Sequence, residues 1–110
     1  LTAKGLESPS GIAIGAKGEV YVSDEHAARI FKFDATGKFV SAWGGPGISA
    51  GKMYRPRGLM VDEQGRVYVI DHGNHRCQVF SANGKFLDVF GATYFIKPAQ
   101  RGEGDANDAQ

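Results

Sequence analysis

Two histidines, an aspartate and an arginine fall within six residues in DHGNHR, Asp71 to Arg76, between the apolar runs VYVI and CQVF. Imidazole nitrogens and a carboxylate this close on a tight loop could converge on a metal ion or contact a polar ligand. The same residues could instead form a turn whose carboxylate accepts backbone N–H groups and whose histidines face water. The chain supplies its own comparison. The segment DEHAAR, Asp24 to Arg29, lies between VYVS and IFKF at an offset of 47. His72 stands opposite Glu25, His75 opposite Ala28 and His26 opposite Gly73, whereas the aspartate and arginine recur at unchanged spacing. Asp24 with Arg29, and Asp71 with Arg76, therefore read as a structural latch: the carboxylate takes loop N–H groups and the arginine returns across the loop to a carboxylate. A catalytic constellation has no need of the same pair in adjacent units. Specialised chemistry here rests on His72 and His75. No catalytic residue or metal ligand is assigned and no cofactor is expected, with zinc or calcium as the open alternative.

A second group of candidates is GGPGISAGKMYRPR, Gly44 to Arg57, which is longer than an ordinary connection and contains no acidic residue. Lys52, Arg55 and Arg57 could dock a carboxylate, a phosphate or an acidic protein surface, and Tyr54 offers a flat ring for stacking or packing. The competing reading is that the arginines pair with nearby loop acids and solvate the surface.

The elements that must position these residues come from the same repeat. At the offset of 47, Pro9 matches Pro56, Gly11 matches Gly58, Tyr21 matches Tyr68, Phe33 matches Phe80 and Gly44 matches Gly91, with no gap. Each unit holds four short apolar runs: GIAI, EVYVS, RIFKF and KFVSAW in the first, and GLMV, RVYVI, RCQVF and KFLDVF in the second. Val, Ile, Phe and Tyr dominate them, and GAKG, DATG, DEQG and SANG supply hairpin chemistry between them. No stripe of period 3.6 lasts long enough to support a helix. The expected fold is all-β, two four-stranded antiparallel meanders of the kind that form propeller blades. The expected divisions are a first blade over residues 1–47, a second over 48–96, and a polar Gly- and Ala-rich tail or linker over 97–110. YFIKP, Tyr94 to Pro98, reads either as a cover for an exposed flank or as the approach to a third blade.

The motifs PSGIAI, GEVYVSD, ARIFKF and TGKFVSAWG, then PRGLMV, GRVYVID, GNHRCQVF and NGKFLDVFG, resemble those of the NHL-repeat β-propellers from about Ser8 to Gly91. Family members commonly have six blades. The resemblance implies a binding or scaffold propeller, with a minority of relatives being enzymes. Two blades do not close a ring and leave two apolar flanks. The blades that cover them come either from the rest of a longer chain or from copies of this one; if the chain is complete, a trimer is favoured. A freestanding two-sheet sandwich is the alternative architecture. In a propeller whose first strand is innermost, DEHAAR, DHGNHR and the linker share one face, so that face is where protein or small anionic ligand binding is expected.

The enzymatic alternative is a metal-assisted lyase or hydrolase. Peptidylglycine amidating lyase has a similar repeat architecture, but the positions of its inner-strand metal histidines hold Ser10 and Arg57 here. Ser23 and Ser41 lie in strands with no adjacent general base. RNA is a lesser alternative, because a formal net charge of +1 and the lack of a repeated basic and aromatic pattern give it little support. An engineered or excised piece whose chief property is self-assembly is a third. Cys77 is the single cysteine, which excludes an internal disulfide and paired-cysteine metal motifs. No apolar run reaches the length of a membrane span. Nothing that looks like a leader is present, although an excised or processed chain would read the same way, and the compartment stays open.

Overall fold

The computed structural model describes residues 1–91; the end of the second unit, YFIKP and the 97–110 segment lie outside the described residues. Strands β1 (Pro9–Ile14), β2 (Val20–Asp24), β3 (Arg29–Phe33) and β4 (Phe39–Gly44) form one antiparallel meander. Strands β5 (Pro56–Val61), β6 (Val67–Asp71), β7 (Arg76–Phe80) and β8 (Phe86–Gly91) form a second. All eight apolar runs are strands. A single 3₁₀ turn, His72–Asn74, is the helical element among the described residues. The hairpins close where the turn signals stand: Gly18, Gly37, Gly65 and Gly84 have φ between 83° and 90°, a left-handed conformation that a Cβ disfavours.

The two sheets meet through their first strands, β1 against β5. Their buried contact surface decides between blades and a sandwich. Tyr21 and Ile30 of the first sheet share a core with Val67, Val69 and Phe80 of the second, together with Met53 of the linker. By the repeat, Val67, Val69 and Phe80 correspond to Val20, Val22 and Phe33. Those residues lie on the opposite face of the first sheet, where Val22, Phe31 and Phe33 form a separate cluster under Ala3 and Leu6. The trailing face of one sheet thus packs on the leading face of the next. Two repeats in a sandwich would oppose like faces and leave two solvated ones; here the two end faces are unlike, one leading and one trailing, and each carries exposed apolar side chains. Ile12, Ile14 and Phe39 are exposed on the leading flank, and Met60, Ile70 and Phe90 on the trailing flank.

Polar contacts fix the register of the two blades. Ser10 Oγ donates to the Pro56 carbonyl at 2.6 Å, Ser23 Oγ to the Arg57 carbonyl at 2.6 Å, and Lys32 Nζ to the Ala82 carbonyl at 2.9 Å. Trp43 meets Phe80 with ring centroids 5.7 Å apart. Cys77 is half-buried on the trailing flank, and burial pushes its thiol pKa up against a weaker opposing backbone hydrogen bond, which suits a packing role.

Candidate ligand-binding face

The strand 2–3 loop of each blade and the linker lie together, as alternation in a meander requires. Asp71 organises this face. One carboxylate oxygen accepts the Tyr54 backbone N–H at 2.8 Å; the other accepts Arg76 Nε at 2.7 Å, Asn74 Nδ2 at 3.0 Å and Gln78 Nε2 at 3.1 Å. Both members of the Asp71–Arg76 pair have fully buried side chains. The rest of Arg76 is spent on the linker: Nη1 donates to the Ile48 carbonyl at 2.7 Å, and Nη2 to those of Ser49 at 3.1 Å and Lys52 at 2.7 Å. Gln78 donates to the Lys52 carbonyl at 2.6 Å and accepts the Gly51 N–H at 2.8 Å, while Asn74 donates to the Gly47 carbonyl at 3.0 Å. The linker is therefore fastened by its own backbone to side chains of the second blade.

The first blade repeats only half of this latch. Asp24 is fully buried and accepts backbone N–H groups from Glu7, Ser8, His26 and Ala27. The arginine pairing expected in both units is present only in the second. Arg29 is exposed, and no ion pair from it occurs among the described residues. The physical reason lies in two replacements, since Ala27 and Phe31 occupy the places of Asn74 and Gln78. Phe31 turns that surface apolar and packs beneath Ala3 and Leu6, whereas Gln78 and Asn74 build a polar seat for carbonyls. Gln78 was legible as a polar residue inside the apolar run RCQVF, opposite Phe31.

Burial pushes the Asp24 carboxyl pKa up, but its backbone hydrogen bonds outweigh this and hold it below the ordinary carboxylate range. Asp34, bonded to Thr36, and Asp62, desolvated but bonded to Arg66, are also shifted down. A depressed folded-state pKa means that the ionised group stabilises the fold above the unfolded value, about 3.9, and that this contribution disappears as pH falls through the folded value. The urea midpoint is expected to stay level from neutral pH to about 5 and to fall below that. Asp24→Asn should flatten part of the fall, which a series of urea titrations across pH will show.

Tyr54 is held at both ends, its N–H by Asp71 and its carbonyl by the Gly73 N–H at 2.7 Å, and the residue as a whole is 47% exposed. Arg55 follows in a left-handed conformation, φ 51°, and turns the chain into β5. Arg55 Nε and Arg57 Nη2 lie 3.6 Å and 3.4 Å from the same Glu25 carboxylate oxygen. Lys52 Nζ reaches the Gly44 carbonyl at 3.2 Å. His72 and His75 are exposed, His75 in a left-handed conformation that closes the 3₁₀ turn. His26 instead meets Glu7, Nε2 to Oε1 at 3.1 Å. The structure thus brings Arg55 and Arg57 together on Glu25, an acid of the first strand 2–3 loop, as the loop-acid reading of these arginines expected. Among the described residues no group of three or more His, Cys, Asp or Glu is arranged to hold a metal. A concavity of about 600 Å³ lies on the opposite face between the blades, lined by residues including Lys17, Glu19, Lys32, Asp34, Asp62 and Glu63.

Two like-facing antiparallel meanders, their loops sorted onto two faces, define a β-propeller segment of two blades. Residues 6–33 and 53–80 each match the family model for the NHL repeat. The chain belongs to the NHL-repeat family. Among solved structures it is similar to a streptogramin B lyase, with 21% identity and a TM-score of 0.66 over 82% of this chain and 28% of that one. It is similar also to virginiamycin B lyase from Staphylococcus aureus, with 19% identity and a TM-score of 0.62 over 77% and 27%. A luciferin-regenerating enzyme gives 19% identity and a TM-score of 0.60 over 80% and 31%. The chain spans under a third of each of these proteins. A comparison with curated proteins finds no significant match.

Proposed function

We propose that this chain is a scaffold segment of an NHL propeller that binds an acidic ligand, a carboxylate-rich protein surface or a small anion, through the face carrying Tyr54, Arg55 and Arg57. The observation that carries this reading is the sharing of one carboxylate, Glu25, by two exposed guanidinium groups. One carboxylate leaves a unit of positive charge over, and a guanidinium accepts a second carboxylate or phosphate in the same planar geometry. The backbone beneath Tyr54 is already fixed by Asp71 and Gly73, so a partner meets a preorganised surface and less ordering entropy opposes binding. Lys52, His72 and His75 stand at the margins and extend the contact.

The test uses a fluorescein-labelled hexaglutamate peptide, followed by anisotropy at low salt. The Arg55→Ala, Arg57→Ala double variant should weaken binding by about tenfold or more, as expected when charge-assisted hydrogen bonds worth about 1.5–3 kcal/mol are removed. Glu25→Gln should act in the opposite direction and tighten binding, because it releases both arginines from their competitor. Equal affinity in all three proteins would remove the face from consideration. The lyase folds of the solved relatives support a second, enzymatic reading, in which catalysis belongs to a complete ring. Metal analysis and turnover assays on a ring containing these blades would test it.

A further inference from the structure

The two open flanks are the two halves of an interface that the chain already makes with itself. The trailing face of blade 1, through Tyr21 and Ile30, is covered by Leu59, Val67, Val69 and Phe80 on the leading face of blade 2. Blade 2 presents the equivalent trailing face: Tyr68 and Cys77 replace Tyr21 and Ile30, and Met60, Ile70 and Phe90 are 48–56% exposed around them. Blade 1 presents the equivalent leading face, where Ile12 and Ile14 in β1 are 61% and 65% exposed. That face is also furnished as its counterpart is. Ala3 and Leu6 pack over it as Met53 of the linker does over blade 2, and Asp24 already holds the Glu7 and Ser8 N–H groups as Asp71 holds that of Tyr54.

We propose that the trailing flank of blade 2 seats on the leading flank of blade 1 in a second copy of this chain, head to tail. The occupant is a second copy because this chain carries both halves of the contact, each in the register that its internal interface uses. Such a contact is heterologous: it closes into a ring where the rotation per copy allows and otherwise extends as an open array. Burying apolar side chains on both flanks drives it. The replacements across the repeat make it drier than the internal interface. Ser23, which donates to a blade 2 carbonyl, becomes Ile70, 48% exposed on the trailing flank, while Lys32 becomes Val79, an apolar residue already buried.

Light scattering on the chain at increasing concentration is expected to give a mass that rises from 11.8 kDa to a multiple of it. Gly58→Ala is the mildest disruption. Among the described residues of one copy its Cβ meets only the Ile70 side chain, Cγ1 at 3.4 Å and Cβ at 3.9 Å, but by the repeat it would press on the Ser10 carbonyl of the second copy. It should raise the association midpoint by about ten- to a hundredfold, the effect of overpacking a tight contact. Ile70→Glu and Ile12→Glu should each give a folded monomer, and mixing them should restore a species of two chains, because each keeps the flank the other lacks. Should either charged variant fail to fold, Cys77 alkylation in the unaltered chain replaces it, and it should slow over the concentrations at which mass rises. A chain monomeric at every concentration would overturn the proposal and leave the flanks to further blades or another protein. So would Ile12→Glu that still assembles fully, a mixture of the two variants that stays monomeric, or Cys77 that reacts at one rate while mass rises.

Discussion

Replacing Arg76 by alanine is expected to cost about 3–5 kcal/mol of folding stability, the usual loss when one partner of a buried ion pair is removed. Asp71 would be left as a buried carboxylate without its cation, and the carbonyls of Ile48, Ser49 and Lys52 would lose their guanidinium donor together. Each orphaned group carries a desolvation penalty. The damage extends beyond the loop, because the same linker carries Met53 into the core between the blades. Arg29→Ala, at the matching position of the first repeat, is expected to change stability by no more than about 0.5 kcal/mol, since that side chain is exposed. Urea denaturation of the two variants side by side is the measurement. Equal losses would mean that Arg29 has a partner in solution equivalent to Asp71, and that the two repeats are latched alike.

The second large effect is expected at Gly11. A Cβ there would collide with the backbone carbonyl of Arg57, the atom that accepts the Ser23 hydroxyl. Backbone cannot swing aside as a side-chain tip can, so β1 and β5 must part and the Ser10 and Ser23 hydrogen bonds to the second blade must lengthen. Gly11→Ala should cost about 1–3 kcal/mol, the range for overpacking a close contact. Its repeat mate offers the control. Gly58→Ala meets only an ordinary contact with Ile70, and in dilute monomer its reduced unfolded-state entropy should leave stability unchanged or raised by about 0.4–1 kcal/mol. Thermal unfolding at low concentration separates the two, and an equal loss at both positions would contradict the blade-on-blade packing.

These paired variants also show how much was legible in the chain. The eight strands were readable because every apolar run is short and bounded by turn residues whose conformational demands are local. Asp71 and Asp24 were readable as loop organisers for the same reason: an aspartate at a strand end accepts N–H groups a few residues away whatever surrounds it. The arginines were not readable in that way. Arg29 and Arg76 have the same spacing from their aspartates, but whether a guanidinium is drawn inward depends on what lies beneath the loop, Phe31 in one blade and Gln78 in the other. Arg55 and Arg57 could be marked as a basic patch, yet their shared partner Glu25 comes from a loop 30 residues earlier. Two blades must be placed side by side before that carboxylate is near them.

By itself the sequence determined the repeat, the all-β meander and the sorting of loops onto two faces, because period, hairpin chemistry and alternation act over a few residues. The tertiary structure decided which faces of the sheets meet, which aspartate gains a buried cation, and that DHGNHR fastens the linker while its histidines remain at the surface. Those outcomes depend on desolvation and on carbonyls brought in from distant segments, and neither is set until the blades have packed.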